Sequence, residues 1–394
     1  MAGLREKGPR MTTLSARSRV EPFHAMDVLR EANALAGAGH DVLSLAVGQP
    51  SHSAPQGVLD AAAAALLGEK LGYTDALGRM ETRRAIAAHY ASRYGVEVPA
   101  ERIAVTTGSS AGFSLAFLAV TDPGGRVAIT APGYPAYRNI VKALSLEAVE
   151  IETDPAQDHM LTVEALERAH REKRIDALLI ASPANPTGAV TDRHHLAALM
   201  DFCRAEGIAF ISDEIYHGLR YTGDDRTALS HTDDVIVINS FSKYYCMTGW
   251  RIGWMVLPQD MVRPVECLAQ SLYISAPDLS QIAAPKAFDC TDELEAIKDG
   301  YRANRALLME RLPKLGISFA APLDGAFYAW CDVSAHTNDS MDFARRMLSE
   351  IHVAAAPGLD FDPVNGPRFM RFSYAGSTDT VARALDRMEG WLGR

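Results

Sequence analysis

The sequence predicts an α/β fold built on a mainly parallel sheet, with a final third of different, mixed character. Short runs rich in β-branched residues alternate with helical stretches, and this alternation is typical of parallel strands connected by helices. The runs that predict strands cover residues 103–107, 127–130, 148–152, 177–181, 209–212, 235–239 and 251–257. Beyond them, a helical pattern over 297–315 precedes a predicted strand over 326–330 and a helix over 378–392, for which Ser377 is the expected N-cap.

The N-terminal region predicts an arm, a helix and a strand. Residues 1–16 are polar and lack periodicity, so we expect a flexible arm, in which Met11 is a second candidate start. Apolar residues then recur with the spacing of a helix face: Phe23, Met26, Leu29, Ala32 and Leu35. Gly37 and Gly39 follow, and glycines at such positions are typical of a helix C-terminus. A predicted strand over 42–47 leads into the turn that begins at Gly48.

Composition disfavours several classes of protein. Of the 394 residues, 48% are hydrophobic and 22% are charged, which is typical of a folded globular chain. With 39 basic and 49 acidic side chains the net charge is −10, and no basic stretch offsets it, so nucleic acid is a disfavoured partner. No apolar run approaches the ~18–20 residues that span a bilayer, and the N-terminus lacks the apolar core of a signal peptide. We therefore expect no membrane association and a cytoplasmic location.

Neither disulfide nor metal chemistry is predicted. The five cysteines are widely spaced without a CxxC pair, so we expect reduced thiols. The His194-His195 pair lacks the carboxylate or cysteine pattern of a metal site, and we interpret it as part of a solvated helix face. The sequon Asn338-Asp339-Ser340 is interpreted as a chance match because no secretory signal accompanies it.

The most informative stretch is NSFSKYYCMTGWRIGW, residues 239–254, which begins where the predicted strand 235–239 ends. Ligands of open α/β sheets bind at the carboxyl ends of the strands, so Ser240, Ser242 and Lys243 are well placed for binding. Burial lowers the pKa of a lysine, and an unprotonated amine is what a Schiff base with a carbonyl cofactor requires. The alternative for Lys243, taken alone, is a solvated loop lysine.

Further residues at defined distances argue against that alternative. Arg251 follows Lys243 by eight residues, and a guanidinium holds a phosphate with two parallel hydrogen bonds. Thirty residues before Lys243, Asp213 follows a predicted strand, where a buried carboxylate keeps a pyridine nitrogen protonated. Tyr216 is a donor to the phenolic oxygen of the same ring, and Asn185, in the turn Asn-Pro-Thr-Gly, adds an amide. Taken singly, Asp213 also fits a helix N-cap and Asn185 a plain turn.

The stretch TTGSSAGF, residues 106–113, predicts a phosphate site. A strand ends there, Gly108 makes the turn, and an apolar helix begins at Ser109 and Ser110, whose N–H groups and hydroxyls face the mouth of the helix. The stretch matches neither the P-loop nor the complete GxGxxG pattern, which counts against ATP and dinucleotides. The alternative for the two serines is ordinary helix capping.

Together these motifs resemble the class I and II aminotransferases, fold-type I enzymes that use pyridoxal 5′-phosphate (PLP). The resemblance runs from about Pro22 to the C-terminal helix, and its most specific part is the SxSK…GWR segment with NPTG and DEIY upstream. It implies a large PLP-binding domain over 49–296, with a mainly parallel seven-stranded sheet flanked by helices, and a smaller discontinuous α+β domain assembled from 17–48 and 297–394. It also implies a homodimer with shared active sites.

The resemblance implies a role for each motif residue. Lys243 forms the Schiff base with PLP and moves the proton between the substrate Cα and the cofactor, while Asp213 holds the pyridinium nitrogen. Tyr216 and Asn185 bind the 3′-oxygen, Asn185 also faces the substrate, and Tyr134 stacks on the ring. The implied phosphate ligands are Gly108, Ser109, Ser110, Ser240, Ser242 and Arg251, together with Tyr73 of the partner subunit.

The resemblance is less specific about the substrate. It implies that Arg371 binds the α-carboxylate, with Arg368 as the nearby alternative, and that the backbone of Gly48 approaches the same carboxylate unless it is simply a turn glycine. Ser110 stands where an aspartate-specific branch of the family has lysine, so neutral or aromatic amino donors are favoured. Candidates for the side-chain pocket, each of which also fits the core, are Tyr273, Ile274, Pro277, Phe327 and Tyr328.

We therefore predict a PLP-dependent aminotransferase that moves the amino group of an L-amino acid to a 2-oxo acid by a ping-pong mechanism. Elimination enzymes of the same fold, such as C–S lyases, are the alternative, because pocket details that the sequence does not show decide between the reactions. A remote alternative is a non-catalytic ligand-sensing module, since transaminase-like domains also occur in transcription regulators. No DNA-binding extension is visible in this sequence.

Overall fold

The computed structural model of the protein describes residues 13–393. Most of the predicted N-terminal arm, residues 1–12, lies outside the described residues. The helices are α1 (His24–Gly37), α2 (Gln56–Gly68), α3 (Met80–Tyr94), α4 (Gly108–Val120), α5 (Pro135–Ala143), α6 (Val163–Glu172), α7 (Arg193–Glu206), α8 (Val262–Leu272), α9 (Asp278–Ala283), α10 (Thr291–Arg311), α11 (Ser340–Ile351) and α12 (Thr378–Leu392). The strands are β1 (Leu43–Leu45), β2 (Ile103–Thr106), β3 (Arg126–Ala131), β4 (Glu147–Glu152), β5 (Ala177–Ala181), β6 (Ala209–Asp213), β7 (Ile236–Ser240), β8 (Gly253–Val256), β9 (Ser318–Phe319), β10 (Tyr328–Asp332), β11 (Val353–Pro357) and β12 (Phe369–Ser373).

The larger sheet has seven strands in the order β2-β8-β7-β6-β5-β3-β4. Its strands are parallel except β8, which runs antiparallel to β2 and β7. The central strands are buried and rich in aliphatic residues, as expected where helices cover both faces of a sheet. Each of the seven predicted strands is present, with ends shifted by at most two residues. The predicted α/β fold with a mainly parallel seven-stranded sheet is therefore confirmed.

A second sheet joins the two ends of the chain. Its order is β1-β11-β12-β10-β9, in which β1 pairs parallel with β11 and the remaining neighbours are antiparallel. Helix α1 packs on β11, and α12 packs on β1. N-terminal and C-terminal segments thus form one layer, as the implied discontinuous domain requires. The boundaries of the two domains stay a prediction.

Two predicted elements in the final third are displaced. The helix predicted over 297–315 is α10, which begins earlier, with two acidic side chains in its first turn. It ends at Arg311 because Pro313 has no N–H to continue the helical hydrogen bonds, and the chain passes into a 3-10 turn, Pro313–Leu315. The strand predicted over 326–330 is β10, which begins two residues later because Ala326 has a φ of +56°, outside the extended region. Helix α12 and its Ser377 cap agree with the prediction.

Helix α4 packs tightly on the sheet with its N-terminus at the carboxyl ends of the strands. Its side chains Phe113, Leu115 and Phe117 are each at most 2% exposed, and burial of a side chain of this size contributes ~1.5–3 kcal/mol. Gly112 permits the close approach, because a Cβ at this position would lie 3.2 Å from Cγ2 of Ile238. The packing of α4 therefore sets the position of its first turn.

Within residues 13–393, no helix is long and apolar enough to cross a membrane. The same part of the chain contains no group of three or more His, Cys, Asp or Glu side chains arranged to hold a metal ion. His194 and His195 lie in the first turn of α7, where their backbone N–H groups donate to the capping carboxylate of Asp192. The five cysteines are free thiols.

Candidate active site

A cavity of about 280 Å³ lies at the carboxyl ends of the central strands. Most of the predicted site residues line it: Gly48, Ser109, Ser110, Tyr134, Asn185, Asp213, Tyr216, Ser242, Lys243, Arg251 and Arg371. These residues come from the beginning, the middle and the end of the chain. Packing of the two sheets brings them together, as the predicted fold requires.

Lys243 follows β7 and extends into this cavity. Its Nζ donates a hydrogen bond to the backbone oxygen of Gly48 at 2.7 Å. Burial is the main cause that lowers the pKa of Lys243 to about 8, and the positive charges of Arg371 and Arg251 add to it. The carboxylate of Asp213 acts in the opposite direction. An amine with this pKa is partly unprotonated near neutral pH, and the unprotonated form attacks carbonyl groups.

Asp213 ends β6 and is 1% exposed. Its carboxylate accepts hydrogen bonds from the Tyr137 hydroxyl and, at 3.1 Å, from the Ile215 N–H. Burial raises the pKa of Asp213 to about 7. Sequence reasoning missed Tyr137, whose only signal is its position in the helix after Tyr134. The site offers a buried carboxyl group to a cationic N–H partner.

The first turn of α4 and Arg251 form a cradle for an anion. The helix begins at Gly108, so Ser109 and Ser110 lie in the turn whose free N–H groups and dipole favour negative charge. Arg251 approaches closely, because a Cβ built at Gly108 would lie 2.5 Å from its Nη2. Gly108 also has a φ of +70°, so both its conformation and its contact with Arg251 require glycine.

Ser240 and Ser242 differ in what they offer the cavity. Ser242 lines the cavity, whereas Ser240 is 1% exposed and lies behind it. The Ser240 hydroxyl contacts Oγ of Ser242 at 2.9 Å and the backbone oxygen of Ile252 at 3.0 Å, and it accepts from the Ser242 N–H. Ser240 therefore shapes the turn that presents Ser242, and its predicted role as a phosphate ligand stays a prediction.

The guanidinium of Arg371 lies in the cavity and is held from several sides. Arg371 is 2% exposed, and it donates to Oδ1 of Asn185 at 2.9 Å and to the backbone oxygen of Ala46 at 2.5 Å. Its Cζ lies 4.3 Å from the ring centre of Tyr328 and 4.6 Å from that of Phe361. Within the described part of the chain its Nε has no hydrogen-bond partner. The group is thus fixed in orientation and offers a cation to a ligand.

Aromatic groups enclose the cavity around Gly48. The hydroxyls of Tyr216 and Tyr328 are 2.8 Å apart, and the ring of Tyr134 packs edge to face on that of Tyr137 at 5.3 Å. A Cβ at Gly48 would lie 1.7 Å from Oη of Tyr328, so no side chain fits there. Glycine is therefore needed at position 48 because the backbone there lies against Tyr328, and not only because the position is in a turn.

Helix α1 supplies an apolar wall that the sequence analysis did not assign to the site. Phe23, which precedes the helix, and Met26 and Leu29 within it line the cavity. The carboxylate of Asp360 accepts hydrogen bonds from the first two N–H groups of α1, at 2.8 and 2.6 Å, and so anchors the helix. The predicted apolar pattern shares only Ala32 with the buried positions of this helix, which are Ala25, Val28 and Ala32, because Met26 is 51% exposed and faces the cavity side instead.

Other candidates lie outside the cavity lining. Arg368 pairs with Asp332 at 3.5 Å and its side chain is 53% exposed, so only Arg371 of the two arginines lines the cavity. Tyr73 is 84% exposed and Phe327 is a core residue. Of the five residues predicted for the side-chain pocket, Tyr328 alone lines the cavity. Phe327 and the remaining three do not line it: Tyr273, Ile274 and Pro277.

Comparison with known proteins identifies the family of the chain. The family model for aminotransferase class I and II matches residues 40–388. The chain is similar to the valine–pyruvate aminotransferase of Mycobacterium tuberculosis, with 46% identity over 385 residues that cover 96% of this chain and 98% of the relative. It is also 34% identical to the (5-formylfuran-3-yl)methyl phosphate transaminase of Methanocaldococcus jannaschii, and that match covers 95% of this chain and 98% of the relative.

A solved structure is similar over almost the whole fold. The crystal structure of an aminotransferase from Mycobacterium tuberculosis matches with a TM-score of 0.94 and 44% identity, covering 97% of this chain and 100% of that chain. The predicted fold-type I architecture and the resemblance found in the motifs are thereby confirmed. The chain belongs to the class I and II aminotransferase family, and it is a transaminase.

Proposed function

We propose that the protein is a PLP-dependent aminotransferase that transfers the amino group of a neutral L-amino acid to a 2-oxo acid in two half-reactions. The observation that carries this proposal is the presence of Lys243, Asp213 and Arg371 in one cavity. The 46% identical relative is named a valine–pyruvate aminotransferase. Valine is therefore the first donor to assay and pyruvate the first acceptor, with aromatic donors next.

The residues of the cavity fit PLP group by group. The Lys243 amine, with its lowered pKa, suits a covalent bond to the aldehyde, and the buried carboxylate of Asp213 suits the ring nitrogen. The first turn of α4, Ser242 and Arg251 suit the phosphate. Tyr216 and the amide nitrogen of Asn185 suit the phenolic oxygen, because Oδ1 of Asn185 already accepts from Arg371. The lysine, the buried carboxylate and the anion cradle together match the aldehyde, the ring nitrogen and the phosphate of PLP.

The chain's own residues then account for the chemistry. When bound, PLP supplies an electron-withdrawing ring that stabilises negative charge at the substrate Cα. Arg371, fixed by Asn185 and Ala46, binds the α-carboxylate and so orients the Cα–H bond. Once the substrate amine had displaced it from the aldehyde carbon, the Lys243 amine would take the proton from Cα and deliver it to that carbon, because its lowered pKa makes it a base near neutral pH. Addition of water would then release the 2-oxo acid and leave the amino group on the cofactor.

The charges of the cavity support a neutral donor. Among the described residues that line it, the cationic side chains are Lys243, Arg251 and Arg371. The covalent bond to the cofactor, its phosphate and the α-carboxylate of the substrate would occupy these three side chains, so the lining from this chain offers no further cation for a second carboxylate. The apolar wall from α1 faces the same space. We therefore propose that aliphatic and aromatic side chains are preferred over acidic ones.

We further propose a homodimer with shared active sites. Tyr73 is 84% exposed and does not line the cavity of its own chain, which fits a residue that serves a neighbouring subunit. Exposed apolar side chains close to Tyr73 in the sequence, and others around residue 273, are also consistent with a subunit contact. They include Leu67, Tyr273 and Ile274.

The decisive experiment is a half-reaction with the PLP-loaded protein and L-valine alone. We expect stoichiometric formation of pyridoxamine phosphate and the 2-oxo acid, with turnover only after pyruvate is added. The Lys243→Ala variant should lose this activity by at least about a thousandfold, as expected for loss of the residue that bonds and deprotonates. Lys286→Ala, which removes a lysine from the surface, is the matched control and should behave as wild type.

Two results would contradict the proposal. Continuous release of ammonia and pyruvate from a β-substituted amino acid, without pyridoxamine phosphate, would indicate the elimination chemistry of a C–S lyase. Full transamination by Lys243→Ala would remove the assigned role of the lysine.

A further inference from the structure

The α2–α3 connection, residues 69–79, contains neither helix nor strand, and it carries Tyr73, whose side chain is 84% exposed. An irregular segment samples many backbone conformations unless other groups hold it. A side chain that has to reach a fixed point in a neighbouring subunit therefore needs its own backbone fixed first. The polar contacts of the α2–α3 connection show how this is done.

Asp278 holds the α2–α3 connection on the N-terminal side of Tyr73. It is 9% exposed, and its Oδ2 accepts a hydrogen bond from Gly72 N–H at 3.0 Å. The same carboxylate accepts two hydrogen bonds from the Arg79 guanidinium, at 2.5 and 3.0 Å. Arg79 also lies 3.6 Å from Glu69, at the beginning of the connection. One carboxylate thus joins the backbone beside Tyr73, directly and through Arg79, to both ends of the connection.

Gln281 holds the connection on the C-terminal side of Tyr73. Its side chain is fully buried, and Nε2 donates to Oγ1 of Thr74 at 3.0 Å and to the backbone oxygen of Ala276 at 2.9 Å. Its Oε1 accepts from Arg79 N–H at 2.7 Å. Both polar atoms of this amide are therefore paired, and the pairs fix the chain because a buried amide that loses a partner is costly.

The contacts from α9 fix the backbone on both sides of Tyr73 and leave its ring exposed. Tyr73 does not line the cavity of its own chain, and neither do Asp278 and Gln281. A phenol held in place outside its own site suits a receiving site in a second copy of the chain, because a preorganised side chain loses less entropy on binding.

We propose that Asp278 and Gln281 are positioning residues that act across the dimer, by fixing the connection that presents Tyr73 to the phosphate in the neighbouring subunit. This inference rests on the proposed function, in which the two subunits share their active sites. Its consequence is directional, because loss of Asp278 damages the site of the partner and leaves the site of its own chain intact. A purely structural role, such as the packing of α9 on α2, has no such direction.

The test compares two hybrid dimers that contain the same substitutions in different arrangements. In the separated hybrid, one subunit carries Lys243→Ala and the other Asp278→Asn. In the combined hybrid, one subunit carries both substitutions and the other is wild type. Subunits with different tags are co-expressed and purified through both tags. Each hybrid then has one live site, which is the site that still holds Lys243. Titration of the stripped hybrids with PLP, followed by the absorbance of the covalent bond to Lys243, gives the dissociation constant of the live site alone.

The separated hybrid should bind PLP as tightly as a hybrid of Lys243→Ala with wild type, because its live site receives Tyr73 from the subunit with native Asp278. The combined hybrid should bind PLP about tenfold more weakly, as expected for loss of a hydrogen bond to a charged group, because its live site receives Tyr73 from the altered connection. Equal affinity in the two hybrids, or the reverse order, would overturn the proposal.

Asp225→Asn is the matched control. Asp225 accepts from Gly218 N–H at 2.7 Å and pairs with Arg93 at 2.8 Å, so it makes the same two kinds of contact as Asp278. The exposed fractions of the two aspartate side chains are also similar, at 5% and 6%. Asp225 lies in a different connection, and in place of Asp278→Asn it should give two hybrids with the same affinity.

Thr74→Val is the second variant, for the case that Asp278→Asn does not fold. It removes the hydroxyl to which Gln281 donates, and it should give the same order of the two hybrids with a difference of about threefold. Melting temperatures of the stripped dimers report folding separately.

Failure of the proposed function gives a different result. A wild type that does not bind PLP, or that is a monomer, would overturn the proposed function and this inference together. If a hybrid of Lys243→Ala and Tyr73→Ala subunits regains activity while the separated and combined hybrids bind PLP equally, the shared site stands and this inference alone is overturned.

Discussion

Lys243 and Asp213 share one cavity, and burial moves their pKa values towards each other. The lysine falls from 10.5 to about 8, and the aspartate rises from 3.8 to about 7, because a low-dielectric environment disfavours either charge. Both groups therefore change protonation state close to neutral pH. Small changes in neighbouring charge then decide whether the lysine acts as nucleophile and whether the aspartate holds a cation.

The lowered pKa of Lys243 predicts a pH profile. We expect the rate at which the stripped protein bonds covalently to PLP to rise with pH and to level off above about 8, because only the unprotonated amine attacks the aldehyde. Absorbance after rapid mixing of protein and PLP across a pH series gives this rate. A rate that continued to rise to the ordinary midpoint of 10.5 would show that the amine is solvated.

Among the elements, α4 and the turn after β7 carry the anion cradle. The helix is fixed by its buried apolar face, and Ser240 fixes the turn through its bonds to Ser242 and Ile252. Neither element depends on a ligand for these contacts. The cradle is thus built by packing before any phosphate binds, which lowers the entropic cost of binding.

Gly108→Ala tests this cradle. A Cβ there would lie 2.5 Å from Nη2 of Arg251, so we expect PLP affinity to fall by about tenfold or more as the guanidinium is displaced. Gly95→Ala is the matched control, because Gly95 has a similar φ of +67° but no neighbouring atom within 4 Å. It should cost about 1 kcal/mol of stability and leave affinity unchanged. Equal PLP affinity in the two variants would show that Arg251 does not depend on Gly108.

On the scale of the whole molecule, the cavity closes only where the two sheets meet. Gly48 and the α1 wall come from the N-terminal end, Lys243 from the larger sheet and Arg371 from the C-terminal end. Asp360, near β11, holds the N-terminus of α1 and so ties one chain end to the other. A change in the relative position of the sheets would alter the cavity even with every side chain in place.

The proposed dimer predicts complementation. Hybrids of a Lys243→Ala subunit and a Tyr73→Ala subunit, co-expressed with different tags and purified through both, should have about half of wild-type activity, because one of their two sites is intact. That site combines its own Lys243 with the partner's Tyr73. Each variant alone should be much less active than the hybrid. A hybrid no more active than the Tyr73→Ala homodimer would exclude shared sites.

Much of this could be predicted because the signals are local. The alternation of β-branched and helical runs predicts the seven-stranded sheet, since each element reflects its own residues. The residues at strand ends and turns, such as Lys243, Asp213 and Gly108, are recognisable because motif spacing and loop position identify them before folding is considered. Ser377 likewise predicts the start of α12 from its own chemistry.

Other features depend on which surfaces meet. Tyr137 bonds to Asp213 and Phe23 covers the cavity, yet neither stands in a motif that states its partner. The alternation of side chains along β12 turns Arg371 into the cavity, while Arg368 lies outside the strand. Sequence alone was sufficient for the fold class and the main chemical groups, because propensity, turns and motif spacing are properties of short segments. The walls of the cavity, the choice between the arginines and the shifted pKa values of Lys243 and Asp213 required the tertiary structure, because long-range packing determines which groups are buried.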